Sequence, residues 1–161
     1  MDSPPISVVI PAFNAGAFLP AAVQSVLNQS YGSFELLIID DASSDVTPRI
    51  AQAFAARDAR VHYYRNPANL GVARSRNRGV ALAQHSWIAF LDSDDRWRQD
   101  KLARQGAYLQ IHPVDLGYTG YDFMDTAGRK IRSCFHVPES IAYPQLLRQN
   151  PISCSGILVR K

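Results

Sequence analysis

The sequence predicts an α/β fold with a mostly parallel central sheet and helices on both faces. Three observations carry this. Short apolar runs alternate with helical stretches of roughly ten residues or more, the pattern of right-handed βαβ crossovers. The run Phe34-Glu35-Leu36-Leu37-Ile38-Ile39 is almost wholly apolar, as in a strand buried on both faces. Two such runs end in carboxylates, Asp40-Asp41 and Asp92-Ser93-Asp94-Asp95, at the strand ends outside which parallel sheets bind ligands.

In chain order, Ile6 to Ile10 is a β-branched first strand, which Pro11 is expected to end. Pro11 to Gly16 reads as a loop. Phe18 to Gln29 has a helical period at Leu19, Val23, Val26 and Leu27, and Pro20 fits only its first turn. Phe34 to Asp41 is the second strand. Ser43, Ser44 and Asp45 offer capping oxygens to a helix from about Val46 to Ala56. Val61 to Arg65 is the third strand, Asn66 to Gly71 a loop with turn chemistry, and Val72 to Ala83 the third helix.

Trp87-Ile88-Ala89-Phe90-Leu91 then reads as the fourth, acid-tipped strand. Gln99 to Ile111 is a fourth helix, stopped by Pro113. Leu116 to Tyr121 is a further strand, and Asp122 to Ile131 a hairpin turning at Asp125 to Gly128. Ser140 to Arg148 forms a short helix, and Ile152 to Arg160 a last strand. Without repeats, low-complexity stretches or linkers, residues 1–161 read as one domain, and 161 residues suffice for a real core.

Composition narrows the function. Hydrophobic residues make up 47% and charged residues 19%, an ordinary globular balance. The net charge of +3 is too small and scattered to indicate nucleic acid, although the excess of Arg over Lys suits phosphate recognition. Cys134 and Cys154 lack zinc-site spacing and read as free thiols in a reducing compartment. No run has the roughly 18–20 apolar residues of a membrane span, and the N-terminus is not a signal peptide. The expected location is therefore cytoplasmic, with peripheral attachment to the inner face of the membrane compatible with it.

Several chemistries lack their signature. There is no GxGxxG after the first strand, no GxxxxGK[ST] and no GxSxG. His62, His85, His112 and His136 are isolated and read as surface or core residues. The acidic strand end is different. Asp92 and Asp94 on extended chain would point to one side, roughly 6–7 Å apart. Like charges that close oppose folding unless neutralised, and a hard divalent cation with oxygen ligands neutralises them. The competing reading has Asp94 and Asp95 capping the next helix.

Four blocks together carry a resemblance: Val8-Val9-Ile10-Pro11-Ala12-Phe13-Asn14; Ile39-Asp40-Asp41-Ala42-Ser43-Ser44-Asp45; Asn69-Leu70-Gly71 with Arg76-Asn77-Arg78-Gly79; and Phe90-Leu91-Asp92-Ser93-Asp94-Asp95 with Trp97 and Lys101-Leu102. In this order and spacing, over about residues 6 to 110, the chain resembles the family 2 glycosyltransferases of Rossmann-like GT-A fold.

The resemblance implies an inverting transferase that moves a sugar from a nucleotide diphosphate, UDP-sugar being the first expectation, to a saccharide, lipid-linked or protein acceptor. It places Pro11, Ala12 and Phe13 near base and ribose, Phe13 either stacking or packing in the core. Asp41 matches the acid that accepts a hydrogen bond from the base, while Asp40 holds the loop. Gly71 lets backbone approach the nucleotide, and Arg76, or less readily Arg74, contacts it; Arg74 and Arg78 also read as a solvated helix face. Asp92 and Asp94 match the metal-binding Asp-x-Asp, with Ser93 between them in the nucleotide-sugar site. Asp92 would lie near the ribose and Asp94 on Mn²⁺ or Mg²⁺, with Asp95 as support or cap.

The family's catalytic base usually follows a strand resembling Ile157-Leu158-Val159-Arg160. Asp122, Asp125 and Glu139 fit no such motif. The catalytic residue is thus unassigned, and the expectation is a domain that stops before the acceptor-side base motif and turns over slowly or not at all. Two rivals stand beside this reading. A nucleotidyltransferase would need a basic Gly-rich first loop, which Ala12 to Gly16 is not. A non-catalytic nucleotide-binding or interaction module of the same fold leaves the four blocks unexplained.

Overall fold

The computed structural model of the chain describes residues 4–133, 138–148 and 150–161. Strand β1 (Ile6–Ala12) is buried at every position and lies in the middle of the sheet. Alternation divides it between two cores. Ile6, Val8, Ile10 and Ala12 face one side with Leu36 and Ile38 of β2 (Phe34–Asp40). That side is covered by α1 (Leu19–Leu27), α2 (Thr47–Ala55) and α4 (Lys101–Ile111), through Leu19, Val23, Val26, Ala51 and Leu102. Val9, Leu37, Ile39 and Ile88 face the other side, which α3 (Val72–Leu82) covers.

Completing the six-stranded sheet are β3 (Val61–Arg65), β4 (Trp87–Phe90), β5 (Leu116–Gly117) and β8 (Leu158–Arg160). The order is β3-β2-β1-β4-β8-β5, with parallel pairing from β3 to β4 and antiparallel pairing beyond. The predicted α/β class and mostly parallel sheet with helices on both faces are present. Strand order reverses beside β1, so the carboxyl ends of β1 and β4 flank a crevice. A hairpin of β6 (Asp122–Met124) and β7 (Lys130–Ser133) stands apart, turning through Gly128 at φ 79°. The short helix α5 (Tyr143–Arg148) precedes β8.

Differences from expectation lie mainly in the strands. Pro11 does not end β1. The strand's alternation turns its missing N–H toward β4, whose pairing with β1 has stopped at Val9↔Phe90, so no ladder bond is lost. The predicted strands over 116–121 and 152–160 shrink to two and three residues. Cys154–Gly156 instead makes a 3₁₀ turn, held at Ser155 and Gly156 by side-chain and backbone bonds to other segments. The predicted readings of Cys134 and His136 fall outside the described residues. Among the described residues, no helix is long and apolar enough to cross a membrane.

At the amino ends of the strands, buried Glu35 accepts hydrogen bonds from Ser7 Oγ (2.6 Å) and the Gln84 backbone N–H (2.7 Å), which pins the α3–β4 connection. On the β1 side of α3, Gly79 lies directly on Val9. A Cβ there would meet Val9 Cγ1 at 2.3 Å. The Gly79→Ala variant therefore incurs overpacking strain of about 1–3 kcal/mol. This exceeds the roughly 1 kcal/mol that alanine's helix propensity returns, and urea unfolding is expected to show a lowered midpoint.

Lys101 opens α4 and is only 7% exposed. Its Nζ has no hydrogen-bond partner among the described residues and lies 3.7 Å from the centroid of the Trp97 ring. Burial pulls its pKa down from 10.5 to about 7. The folded state then binds fewer protons than the unfolded state between those two values, so stability rises with pH across that interval. The Lys101→Met variant is expected to be more stable than the parent by about 1–3 kcal/mol at pH 6. The advantage should shrink as pH climbs from 7 toward 10.5, as thermal unfolding across a pH series would show.

Candidate functional site

The rim of the sheet is built first at the end of β2. Successive residues of a strand point to opposite faces, so Asp40 and Asp41 meet different partners. Fully buried Asp40 accepts from the Ser43 N–H (2.9 Å) and, through Oδ2, from Tyr63 Oη and Arg65 Nη1 (2.8 Å each). It holds the loop, as expected. Asp41, 3% exposed, accepts from Asn66 Nδ2 (2.6 Å) and the Leu70 N–H (2.9 Å) on one oxygen, and from the Gly71 N–H (2.8 Å) on the other. Burial alone would raise its pKa, but hydrogen bonds from Asn66, Leu70, Gly71 and Ser75 bring it below 3.8. Asp41, expected to accept a hydrogen bond from a base, also has a structural part to play. Its oxygens are turned inward, and it holds the 66–71 turn.

The loops after β1 and β2 are joined to each other. Asn14, at φ 48°, accepts the Ser44 N–H on its Oδ1 (2.9 Å) and gives its own N–H to Ser43 Oγ (3.0 Å). The Ala15 N–H reaches Thr47 Oγ1 (2.8 Å), and the Gly16 N–H reaches Asp45 Oδ2 (3.0 Å). Asp45 also accepts the Thr47 N–H (2.9 Å) at the start of α2, although the N-cap residue is Val46 and makes no side-chain cap bond. Upon this platform Phe13 is 50% exposed, which removes core packing as its role. Pro11 and Ala12 are buried within β1 rather than in a loop.

Helix α3 links the two acidic ends. Gly71 precedes it at φ 85°, a backbone region that favours glycine. Ser75 Oγ accepts a bond from the Asn66 amide that also serves Asp41. One residue further, Arg76 Nη2 pairs with Asp92 Oδ1 at 2.5 Å. Arg76 Nε is buried without a partner among the described residues. Arg78 donates to the carbonyl of Arg65 and to Asn66, and exposed Arg74 matches the solvated-face reading.

The acidic segment is a turn. The Asp95 N–H reaches the Asp92 carbonyl at 3.0 Å, which corrects the expectation of Asp92 and Asp94 side by side on extended chain. The three carboxylates have different surroundings. Asp92 is paired with Arg76. Half-buried Asp95 accepts from Ser155 Oγ at 2.5 Å; burial and then the charges of Asp94 and Asp92 push its pKa up despite that bond. Asp94 is exposed and takes no hydrogen bond or ion pair from a described residue, and Ser93 beside it is half-buried. No helix cap uses Asp94 or Asp95, since α4 starts later, at Lys101.

Asp94 and Asp95 open onto a cleft of about 1020 Å³ lined also by Phe18, Trp97, Lys101 and Tyr121. Among the described residues no group of three or more His, Cys, Asp or Glu is placed to hold a metal. The chain offers at most one or two hard oxygen ligands at the turn, which suits a cation that takes its remaining ligands from phosphate and water. Of the histidines, His62 lies 3.8 Å from Glu35 and His112 stacks on Tyr108; neither joins the rim. Cys154 is a free thiol whose pKa burial raises.

Sequence reading missed Ser155. The signal that finds it is the β4–β8 register. Ala89 pairs with Leu158 in antiparallel sense, so residue 155 falls opposite residue 92.

Comparisons with known proteins agree with this architecture. The model of the family described as glycosyl transferase family 2 matches residues 7–158. A Bacillus subtilis (strain 168) protein named as a teichuronic acid biosynthesis glycosyltransferase, TuaG, is 36% identical over 97% of this chain and 62% of its own length. The Escherichia coli UDP-Glc:alpha-D-GlcNAc-diphosphoundecaprenol beta-1,3-glucosyltransferase WfgD is 33% identical over 99% of the chain and 61% of its own. The chain thus spans about three fifths of these relatives. Among solved structures, S. aureus TarS 1-349 in complex with UDP-GlcNAc aligns with TM-score 0.66 at 24% identity, over 70% of this chain and 33% of that one. Mannosyltransferase PcManGT from Pyrobaculum calidifontis, in complex with GDP-Man and Mn²⁺, aligns with TM-score 0.67 at 21% identity, over 72% and 35%. These two likenesses concern the fold. With the family model covering nearly all of its length, this chain belongs to glycosyl transferase family 2.

Proposed function

We propose that this chain forms the nucleotide-sugar-binding part of an inverting glycosyltransferase that uses a UDP-sugar donor and a divalent cation. The observation that carries the reading is the bridging by α3. Its start is tied to Asp41 through Gly71, and Arg76 is tied to Asp92, so both acidic strand ends share one rim. Two unrelated acidic caps would not need that link.

In this reading the exposed ring of Phe13 offers a stacking face to the base. Pro11, Ala12 and Asp41 shape the wall behind it. Gly71 brings exposed backbone to the nucleotide, and Asp92 and Ser93 lie toward the ribose. Arg76 sits between the ribose side and the diphosphate, with a planar charge suited to phosphate. Asp94, with Asp92 next to it, would hold Mn²⁺ or Mg²⁺. That cation supplies charge stabilisation for the diphosphate leaving group. The base that takes the acceptor's proton is unassigned among the residues of this chain.

Two relatives extend the reading to the acceptor. WfgD carries a diphosphoundecaprenol-linked sugar in its name, and TuaG teichuronic acid biosynthesis, so we assign this chain to polysaccharide biosynthesis with a saccharide or lipid-linked acceptor.

Calorimetry with UDP and Mn²⁺ tests the site. The parent chain is expected to bind UDP in a metal-dependent way, and Asp94→Ala to weaken that binding at least about tenfold, or roughly 1.4 kcal/mol. Because Asp94 is exposed and unpaired among the described residues, its removal should leave the melting temperature within a degree or two. The absence of heat with any nucleotide would instead favour an interaction module. A thermal-shift panel of UDP, GDP and dTDP identifies the base, the preferred nucleotide giving the largest rise.

A further inference from the structure

Ser155 occupies a position that neither the acidic turn nor the family match explains. It lies in the 3₁₀ turn Cys154–Gly156, some sixty residues along the chain from the residues it touches. Its Oγ accepts the Asp92 N–H at 3.1 Å and donates to Asp95 Oδ2 at 2.5 Å. Its carbonyl accepts Trp97 Nε1 at 2.7 Å, and the next carbonyl, of Gly156, accepts Gln105 Nε2 at 3.0 Å. The first and last residues of the turn therefore meet on one hydroxyl, whose backbone is clamped from two further directions.

The chemistry of that hydroxyl is selective. A serine or threonine side chain can take a proton from an amide while giving its own to a carboxylate; an ammonium or guanidinium can only donate, and a carboxylate only accept. A hydroxyl also satisfies Asp95 without cancelling its charge. Of the three carboxylates, one is paired with Arg76, one is hydrogen-bonded by Ser155, and Asp94 has no partner among the described residues. The turn thus keeps negative charge facing the cleft and holds a fixed shape, the two properties a cation–diphosphate site needs.

We infer that Ser155 is a positioning residue for the donor site, fixing the Asp92–Asp95 turn so that Asp94 is presented to the cation and diphosphate. The inference rests on the donor-site reading above. It makes the segment before β8 a working part of a site otherwise built from the first four strands.

The test compares Ser155→Ala and Ser155→Thr with the parent chain, reading Mn²⁺–UDP binding, metal-free UDP binding, and hydrogen exchange at the Asp92 amide. In Ser155→Ala the Mn²⁺–UDP affinity should fall about tenfold, metal-free UDP binding should stay within twofold, and the Asp92 amide should exchange faster. Ser155→Thr, which keeps the hydroxyl, should restore both affinity and protection. Unchanged Mn²⁺–UDP affinity in Ser155→Ala would overturn the inference and leave the donor site standing. Equal loss of metal-free and metal-bound UDP would also overturn it, since that marks general loosening. Failure of the parent chain to bind UDP at all would remove the donor-site reading and this inference together, and is visible before any substitution is made.

Discussion

Two adjacent buried carboxylates at the end of β2 constrain everything at the rim. A carboxylate taken out of water must be fully hydrogen-bonded or paired, because leaving it otherwise costs several kcal/mol. Asp40 and Asp41 meet this demand in opposite directions. Asp40 gathers the 43 loop, Tyr63 and Arg65 on one face. Asp41 gathers Asn66 and the backbone of Leu70 and Gly71 on the other. The position of α3 follows from the second set, and the position of Arg76 follows from α3. The partner of Asp92 is in that sense decided at the end of a different strand.

Electrostatics at the acidic turn is graded rather than uniform. Arg76 neutralises one carboxylate, a hydroxyl satisfies another, and the third faces water. Lys101, the buried amine by the same cleft, is set over the Trp97 ring instead of being paired with any of the three. A second nearby cation pairing with Asp94 would have cancelled the charge that the turn presents. The family's fold thus places acids at the rim, and the side-chain arrangement around them decides which one stays available.

The parallel half of the molecule was legible because its signals are local. Continuous apolar runs, capping oxygens and alternation with helices each act over a few residues, and all point to the same topology. The acidic strand ends could likewise be placed on one rim, since parallel strands share a direction. The inward turn of Asp41 was not legible, because it depends on donors 25 to 30 residues away. Ser155 was hidden for a related reason: its role arises from an antiparallel register between strands about seventy residues apart, which no local pattern encodes. The shortened β5 and β8 belong to the same class. In residues 152–157 the carbonyls of Ser155 and Gly156 go to the side chains of Trp97 and Gln105, and the N–H groups of Gly156 and Ile157 close a local turn, instead of joining a ladder. Comparison with relatives recovers the family but not these contacts.

The lacing of the β1 and β2 loops has a thermodynamic consequence. Asn14, Ser43, Ser44, Asp45 and Thr47 hold the two loops as a single body. The ring of Phe13 therefore stands on a base with few backbone states left to lose. Planar ligands that settle on it encounter a surface ordered in advance, and their association carries little of the entropy penalty usually charged to loop ordering. In the proposed donor site, the stiffness that folding has already installed beneath the aromatic ring would count toward affinity for a flat ligand.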